Sequence, residues 1–314
     1  MGMIQCQAMQ LSGDQSLFGS NGTGDGDESA EGEVTVRLEA VAHTDVGQER
    51  ELNEDRVFQQ VLQSSDEDAV GLFIVADGMG GHLAGEVASH WAVETIKREL
   101  ADLFIPRDPR ATWDLSGEEL RALLKQGRRS GRPPLRITEE RVRSAVEKAN
   151  AAVHGYARHR PTEAMGSGST LTMAVIEGPL ALIANVGDSR AYLLRRHQLQ
   201  QITVDHSLVA GLVAAGRITL EESYDHPQAG LIYRCLGYMP TVEVDIFRQE
   251  LQDGDVLLLC TDGLWEMVRD DQRMVGIIEE APTLERAAQW LVQAANSAGG
   301  KDNISVVLVR VTEG

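Results

Sequence analysis

The chain has little cysteine, little positive charge and no long apolar run. Its three cysteines, Cys6, Cys235 and Cys260, are odd in number and far apart, which excludes an obvious disulfide framework or zinc knuckle and fits reduced thiols. A thiol nucleophile in a phosphate loop is excluded as well. Such a loop closes on an arginine six positions later, where this chain has Thr241 and Glu266. Basic residues number 29 against 48 acidic ones, a formal net charge of −19, which opposes binding to nucleic acid or to an anionic membrane surface. No stretch approaches the ~20 apolar residues of a membrane span, and the N-terminus lacks the basic-then-apolar layout of a secretory leader. Met1-Gly2 opens like a myristoylation site, but Cys6 stands where that motif needs Ser or Thr. The expectation is a soluble cytoplasmic protein without nucleic-acid or membrane partners.

With 314 residues, 42% of them hydrophobic, the chain suits one large domain with appendages. Residues 1–32 are rich in Gly, Ser, Asp and Glu, which predicts a disordered acidic tail. The domain, 33–314, begins on the alternation Val34, Val36, Leu38, Ala40, Ala42, a strand half facing a core. A second strand is expected over 56–62. Ala88, Ala92, Ile96, Leu100 and Leu103 mark an amphipathic helix, and Val142, Ala145, Val146, Ala149, Val153 and Tyr156 mark another. Between them the prolines, glycines and arginines of 105–136 predict a surface insertion. Strands are expected at 169–177, 180–186 and 189–196, joined by short breaks at Gly178-Pro179 and Gly187-Asp188, and so as one antiparallel meander. Leu284, Ala287, Ala288, Leu291 and Ala294 predict a last helix ahead of a final strand. The alternation of strand clusters with helix pairs indicates an α+β protein of stacked layers.

Two apolar runs end alike, Leu72 to Ala76 before Asp77-Gly78 and Val256 to Cys260 before Thr261-Asp262-Gly263, and Asp302 stands just ahead of a third run, Ile304 to Val311. Each run reads as a buried strand that leaves its acid at a sheet rim, where a hard cation can be held. Asp-Gly is also a common turn pair, and Asp253-Gly254 is expected to be only that. Asp77 differs in leading into Gly78-Met79-Gly80-Gly81-His82, whose glycines let backbone approach a ligand closely. Carboxylates suit Mg²⁺ or Mn²⁺ rather than zinc, which would call for His and Cys ligands. Asp188 and Gly166-Ser167-Gly168 are read as structural, the first shaping a tight hairpin.

The segments Thr44-Asp45-Val46-Gly47-Gln48-Glu49-Arg50 with Asn53-Glu54-Asp55, Val75 to His82, Gly166 to Leu171, Asn185 to Arg190, Asp205-His206-Ser207, Cys260 to Trp265 and Gly300 to Ser305 together resemble the metal-dependent Ser/Thr protein phosphatases. This is the type-2C or PPM family, and the resemblance is strongest to its bacterial branch. It runs from about Val34 to the C-terminus. It implies a four-layer αββα sandwich, two antiparallel β-sheets flanked by helix pairs, with a flap at about 206–234 that selects substrate. It implies a hydrolase of phosphoserine and phosphothreonine that uses a water activated by two metal ions and forms no covalent intermediate. By the same resemblance Asp77 bridges two Mg²⁺ or Mn²⁺ ions, Gly78 gives its carbonyl, Asp262 and Asp302 complete the second ion, and Glu54 and Asp55 act through waters. Arg50 holds phosphate oxygens through its planar fork. His82 is a candidate general acid, since Met79 stands where animal members carry histidine. A third metal is doubtful: its usual Asp falls at Met165, with Glu163 nearby. The implied partners are phosphorylated proteins and a cognate Ser/Thr kinase, in signalling, with the phosphatase a monomer. Two rivals are a pseudo-enzyme that binds phosphoproteins without hydrolysis and a metal phosphodiesterase, the latter opposed by the acidic charge.

Overall fold

Two kinds of apolar pattern build different layers of this molecule. The computed structural model describes residues 35–64, 67–80, 84–105, 135–159 and 166–314. The expected tail at 1–32, most of the insertion, His82, Glu163 and Met165 lie outside the described residues.

Runs with no polar interruption form strands buried on both faces: β3 (Val70–Ala76), β6 (Leu171–Glu177), β7 (Leu180–Val186) and β11 (Val256–Cys260). Around them lie β1 (Val36–Asp45), β2 (Arg56–Leu62), β4 (Gly78–Met79), β5 (Gly168–Ser169), β8 (Arg190–Arg195), β9 (Gln198–Gln201), β10 (Asp245–Glu250) and β12 (Ile304–Glu313). One antiparallel sheet has the order β1-β12-β11-β8-β9, the other β10-β7-β6-β3-β2, and β4 pairs with β5. The sheets face each other across Leu38, Phe73, Val75, Ala174, Ile183, Leu257, Leu259, Val307 and Val309.

Runs with a 3.6-residue period form the outer layers. Helices α1 (Ala84–Glu99) and α2 (Glu139–His159) lay Ala88, Ala92, Ile96, Val142, Val146 and Ala149 on Leu72, Ile74, Met173 and Leu182. The α1 stripe continues through Leu100 into Leu103 of a 3-10 turn, Ala101–Phe104. Two short helices, α3 (Leu208–Ala214) and α4 (Leu220–Tyr224), lie in the expected flap, and α5 (Asp262–Trp265) follows β11. On the other sheet α6 (Asp271–Glu280) and α7 (Leu284–Ser297) cover Leu258, Val306 and Leu308 with Met274, Val275, Leu284, Ala288 and Leu291. Each such side chain contributes about 1.5–3 kcal/mol by leaving water, so the sandwich expected from the sequence is held mainly by three apolar interfaces.

One expectation is overturned. The strands β6, β7 and β8 do not form a meander: β6 pairs with β7, but β8 leaves for the opposite sheet and pairs with β11 and β9. Gly187, at φ 115°, turns the chain away, and its carbonyl accepts from His206 N–H (2.9 Å) rather than closing a hairpin. The place beside β7 is taken by β10. Asp253-Gly254 does form the expected turn, with Gly254 at φ 80°.

Candidate metal centre

Chain ends of both sheets bring the sequence-predicted acids to one rim. At the end of β3, Asp77 N–H donates to Thr170 Oγ1 (3.0 Å) and Asp77 O accepts from Thr170 N–H (2.8 Å). This two-way bond fixes the backbone that carries the half-buried carboxylate. Thr170 Oγ1 is in turn 2.7 Å from Ser189 Oγ. Gly78 then pairs with Ser169 in the small β4–β5 ladder. A side chain on Gly85, in the first turn of α1, would come within 2.5 Å of Glu54 Oε1 and 2.7 Å of Gly78 O. The bare backbone there leaves two oxygen donors facing one small space.

Asp55 is 1% exposed. Its Oδ2 accepts from Thr261 Oγ1 at 2.9 Å, and Thr261 Oγ1 itself accepts from Ser305 N–H, so the β2 approach is tied to the β11 end. Burial pushes the Asp55 carboxyl up to about 6, against the hydroxyls of Ser305 and Thr261, which favour its charged form. Asp262 opens α5 and Asp302 stands two residues before β12. Burial first, and then neighbouring carboxylates, raise Asp77 and Asp262 well above the usual range: Asp262, Asp55, Asp188 and Asp302 act on Asp77, while Asp188, Asp302, Glu266 and Asp55 act on Asp262. Like charges crowded in poorly solvated surroundings hold protons unless a cation replaces them.

Asp302 sits at the open edge. Its Oδ2 is 2.6 Å from Arg50 Nη2, and the Arg50 side chain is 51% exposed. Burial works against the Arg50 charge, but Asp302, Asp77 and Glu54 outweigh it and raise the guanidinium pKa. The loop carrying Arg50 is clamped from below by Asn303, whose Oδ1 accepts Glu54 N–H (2.8 Å) and whose Nδ2 donates to Val46 O and Leu52 O (2.9 Å each). The sequence gives no separate role to Asn303, although it lies inside the segment Gly300 to Ser305.

Asp188 needs a correction. With β7 and β8 in different sheets it shapes no hairpin. It is 6% exposed, and burial followed by Asp205 pushes its carboxyl up to about 7. It also acts on both Asp77 and Asp262. Its carbonyl accepts from the Trp265 indole (3.1 Å), and Arg190 lies 3.5 Å over that ring while forking onto Asp205. The crossing between sheets is thereby locked to the helix that begins with Asp262.

Among the described residues, no three carboxylate, imidazole or thiol side chains converge closely enough to enclose an ion unaided. Asp302 instead pairs with Arg50. The donor set nevertheless fits a hard cation that keeps several waters and takes one or two carboxylates. Glu54 Oε1 and Asp55 Oδ1 are buried without a hydrogen-bond partner, a costly condition for carboxylates that a cation relieves. Every donor is oxygen, which suits Mg²⁺ or Mn²⁺.

A family model described as Protein phosphatase 2C matches residues 45–296. The Serine/threonine phosphatase stp of Listeria monocytogenes is 38% identical over 272 residues, 87% of this chain and 95% of that protein. The Serine/threonine protein phosphatase PstP of Mycobacterium tuberculosis is 34% identical over 281 residues, 89% of this chain and 46% of that longer protein. Among solved structures, the catalytic domain of a serine threonine protein phosphatase PstP in complex with two manganese ions superposes with a TM-score of 0.69 at 31% identity, covering 88% of this chain and all of that one.

Proposed function

Because the chain belongs to the protein phosphatase 2C family and is a metal-dependent phosphatase of phosphoserine and phosphothreonine, we propose that Asp77, the Gly78 carbonyl, Asp262 and Asp302 hold its two Mg²⁺ or Mn²⁺ ions. In this reading Glu54 and Asp55 act through waters, and Arg50 takes the phosphate. The observation that carries the assignment is the pair of buried, unpartnered oxygens, Glu54 Oε1 and Asp55 Oδ1, beside the raised carboxyls of Asp77 and Asp262.

When bound, the ions polarise a phosphoryl oxygen and lower the pKa of an attacking water. The protein supplies placement. Thr170 holds the Asp77 backbone, Thr261 orients Asp55, and Asn303 holds the 46–54 loop against Asp302. Arg50, exposed and paired with Asp302, presents a planar fork that fits two phosphate oxygens. No nucleophilic side chain is required, so the phosphoryl group passes directly to water.

The phosphatase domain in this reading is 33–314; the separate compact unit Val34–Gly314 supports it. The 206–234 flap selects among clients. A Ser/Thr kinase must place the phosphates removed here, and free Cys235 and Cys260 support a reducing cytoplasm. No helix among the described residues is long and apolar enough to cross a membrane.

The test is release of phosphate from a phosphothreonine peptide with Mn²⁺, with and without chelator, beside the Asp262→Asn variant. Turnover that needs metal and disappears in the variant is expected. Tight binding of the peptide without turnover would instead support the phosphoprotein-binding rival.

A further inference from the structure

Away from the acids, a cavity of about 380 Å³ is lined by Ala151, His154, Gly155, Arg158, His159 and Pro240. In a chain of net charge −19, three side chains able to carry positive charge around one cavity stand out. Ala151 and Gly155 keep the helix side of the cavity low. His154 Nδ1 faces Gly237 O (2.9 Å) and His159 Nδ1 faces Gly155 O (2.6 Å). A carbonyl only accepts, so each Nδ1 carries the proton and each Nε2 is left for another partner. Arg158 is exposed and pairs with no carboxylate among the described residues.

Complementing the dipole at the end of α2 would account for Arg158 and His159. It does not account for His154, farther back in the helix, or for the wall opposite. That wall is built: Asn150, 1% exposed, accepts Gly237 N–H (2.8 Å) and donates to Met239 O (3.0 Å) and Pro240 O (3.2 Å). The same segment reaches the rim of the acids, since Leu236 exchanges backbone hydrogen bonds with Ser169, which pairs with Gly78. Tyr238 and Met239, 68% and 56% exposed, offer an apolar footing beside the cavity.

We propose that this pocket binds a second phosphate group on the same polypeptide substrate, so that the enzyme favours doubly phosphorylated segments. The inference rests on the phosphatase reading above and adds a specificity site to it. Arg158 supplies the fork for phosphate oxygens, with the His154 and His159 rings lining the pocket beside it. The path from Asp77 runs through three residues to Gly80, across its contact with Ser167, and on through Gly237 to His154.

The experiment compares Mn²⁺-dependent hydrolysis of singly phosphorylated peptides with peptides carrying two phosphothreonines at separations from two to ten residues, for the wild type, Arg158→Gln, and Arg158→Gln with His154→Gln. The wild type should favour one range of separations by about tenfold in kcat/KM. Arg158→Gln should remove most of that advantage through KM, leaving kcat and the singly phosphorylated peptide unchanged. An equal advantage in the double variant, or no advantage at any separation, would overturn the proposal. Loss of turnover on every peptide in the wild type would strike at the phosphatase reading instead.

Discussion

Asp77-Gly78 and Asp262-Gly263 follow near-identical apolar runs, yet the backbone resolves them differently. After β3 the chain stays extended and enters β4, paired with β5. After β11 it turns at Thr261 into α5, with Asp262 in the first turn, where a carboxylate meets the positive end of the local dipoles. The two glycines share one requirement, and it is crowding. A Cβ on Gly78 would lie 2.2 Å from Gly85 O and 2.5 Å from Glu54 O; on Gly263 it would lie 2.0 Å from Asn303 O. Each Asp-Gly pair thus marks a place where a third backbone segment presses against the acid-bearing one. Asp253-Gly254, with nothing near its Cβ position, is a plain turn.

The largest test of this comparison is removal of the acids. Asp77→Asn and Asp262→Asn should each lower kcat/KM by on the order of 10³ or more, as expected where charge compensation at the reacting group is lost. Asp253→Asn, at the plain turn, should leave it unchanged. Steady-state assays at saturating Mn²⁺ separate these outcomes, and a mild effect at either acid would break the equivalence of the two Asp-Gly pairs.

Next come the glycines. Gly78→Ala and Gly263→Ala should each destabilise the fold by about 1–3 kcal/mol or more through overpacking against backbone, read by denaturant unfolding. Gly254→Ala, strained only through its positive φ, should cost about 1 kcal/mol.

In the metal-free protein, pH should act in a defined direction. Asp55, at about 6, and Asp188, at about 7, both lie above the ordinary Asp value of 3.8. A raised carboxyl lends stability that is full below pH 3.8 and is lost as pH climbs through its folded value. Stability of the metal-free chain should therefore fall between about pH 4 and pH 7, by up to about 3 kcal/mol from Asp55. Added Mn²⁺ should reverse the loss above pH 6. A rise in metal-free stability across that window would contradict the burial of these acids.

The smallest effect belongs to the exposed rim. Arg50→Ala should raise KM about tenfold with less change in kcat, the mark of lost ground-state phosphate binding.

Much of the site was legible because hydrogen-bonded turns and short acid motifs are local. Asp77 and Asp262 stand just past the ends of apolar runs and Asp302 just ahead of one, so each acid lies at a strand end. Asp188 was misread because its role depends on which sheet receives β8. Asn303 was passed over because its partners, Val46, Leu52 and Glu54, are some 250 residues away in the chain. The cluster beside Asp188, where Arg190 stacks on Trp265 and forks onto Asp205, combines residues whose separate motifs gave no hint of contact.

By itself the sequence determined the layers, the strand and helix stretches and the acids at their ends, because period and turn chemistry act over a few residues. Only the tertiary structure decided which strands became neighbours, which acids share a field and where a cationic hollow opens. Strands such as β6, β7 and β11 are apolar on both faces, so their alternation names no inside face and no partner. That choice is left to packing between segments far apart in the chain.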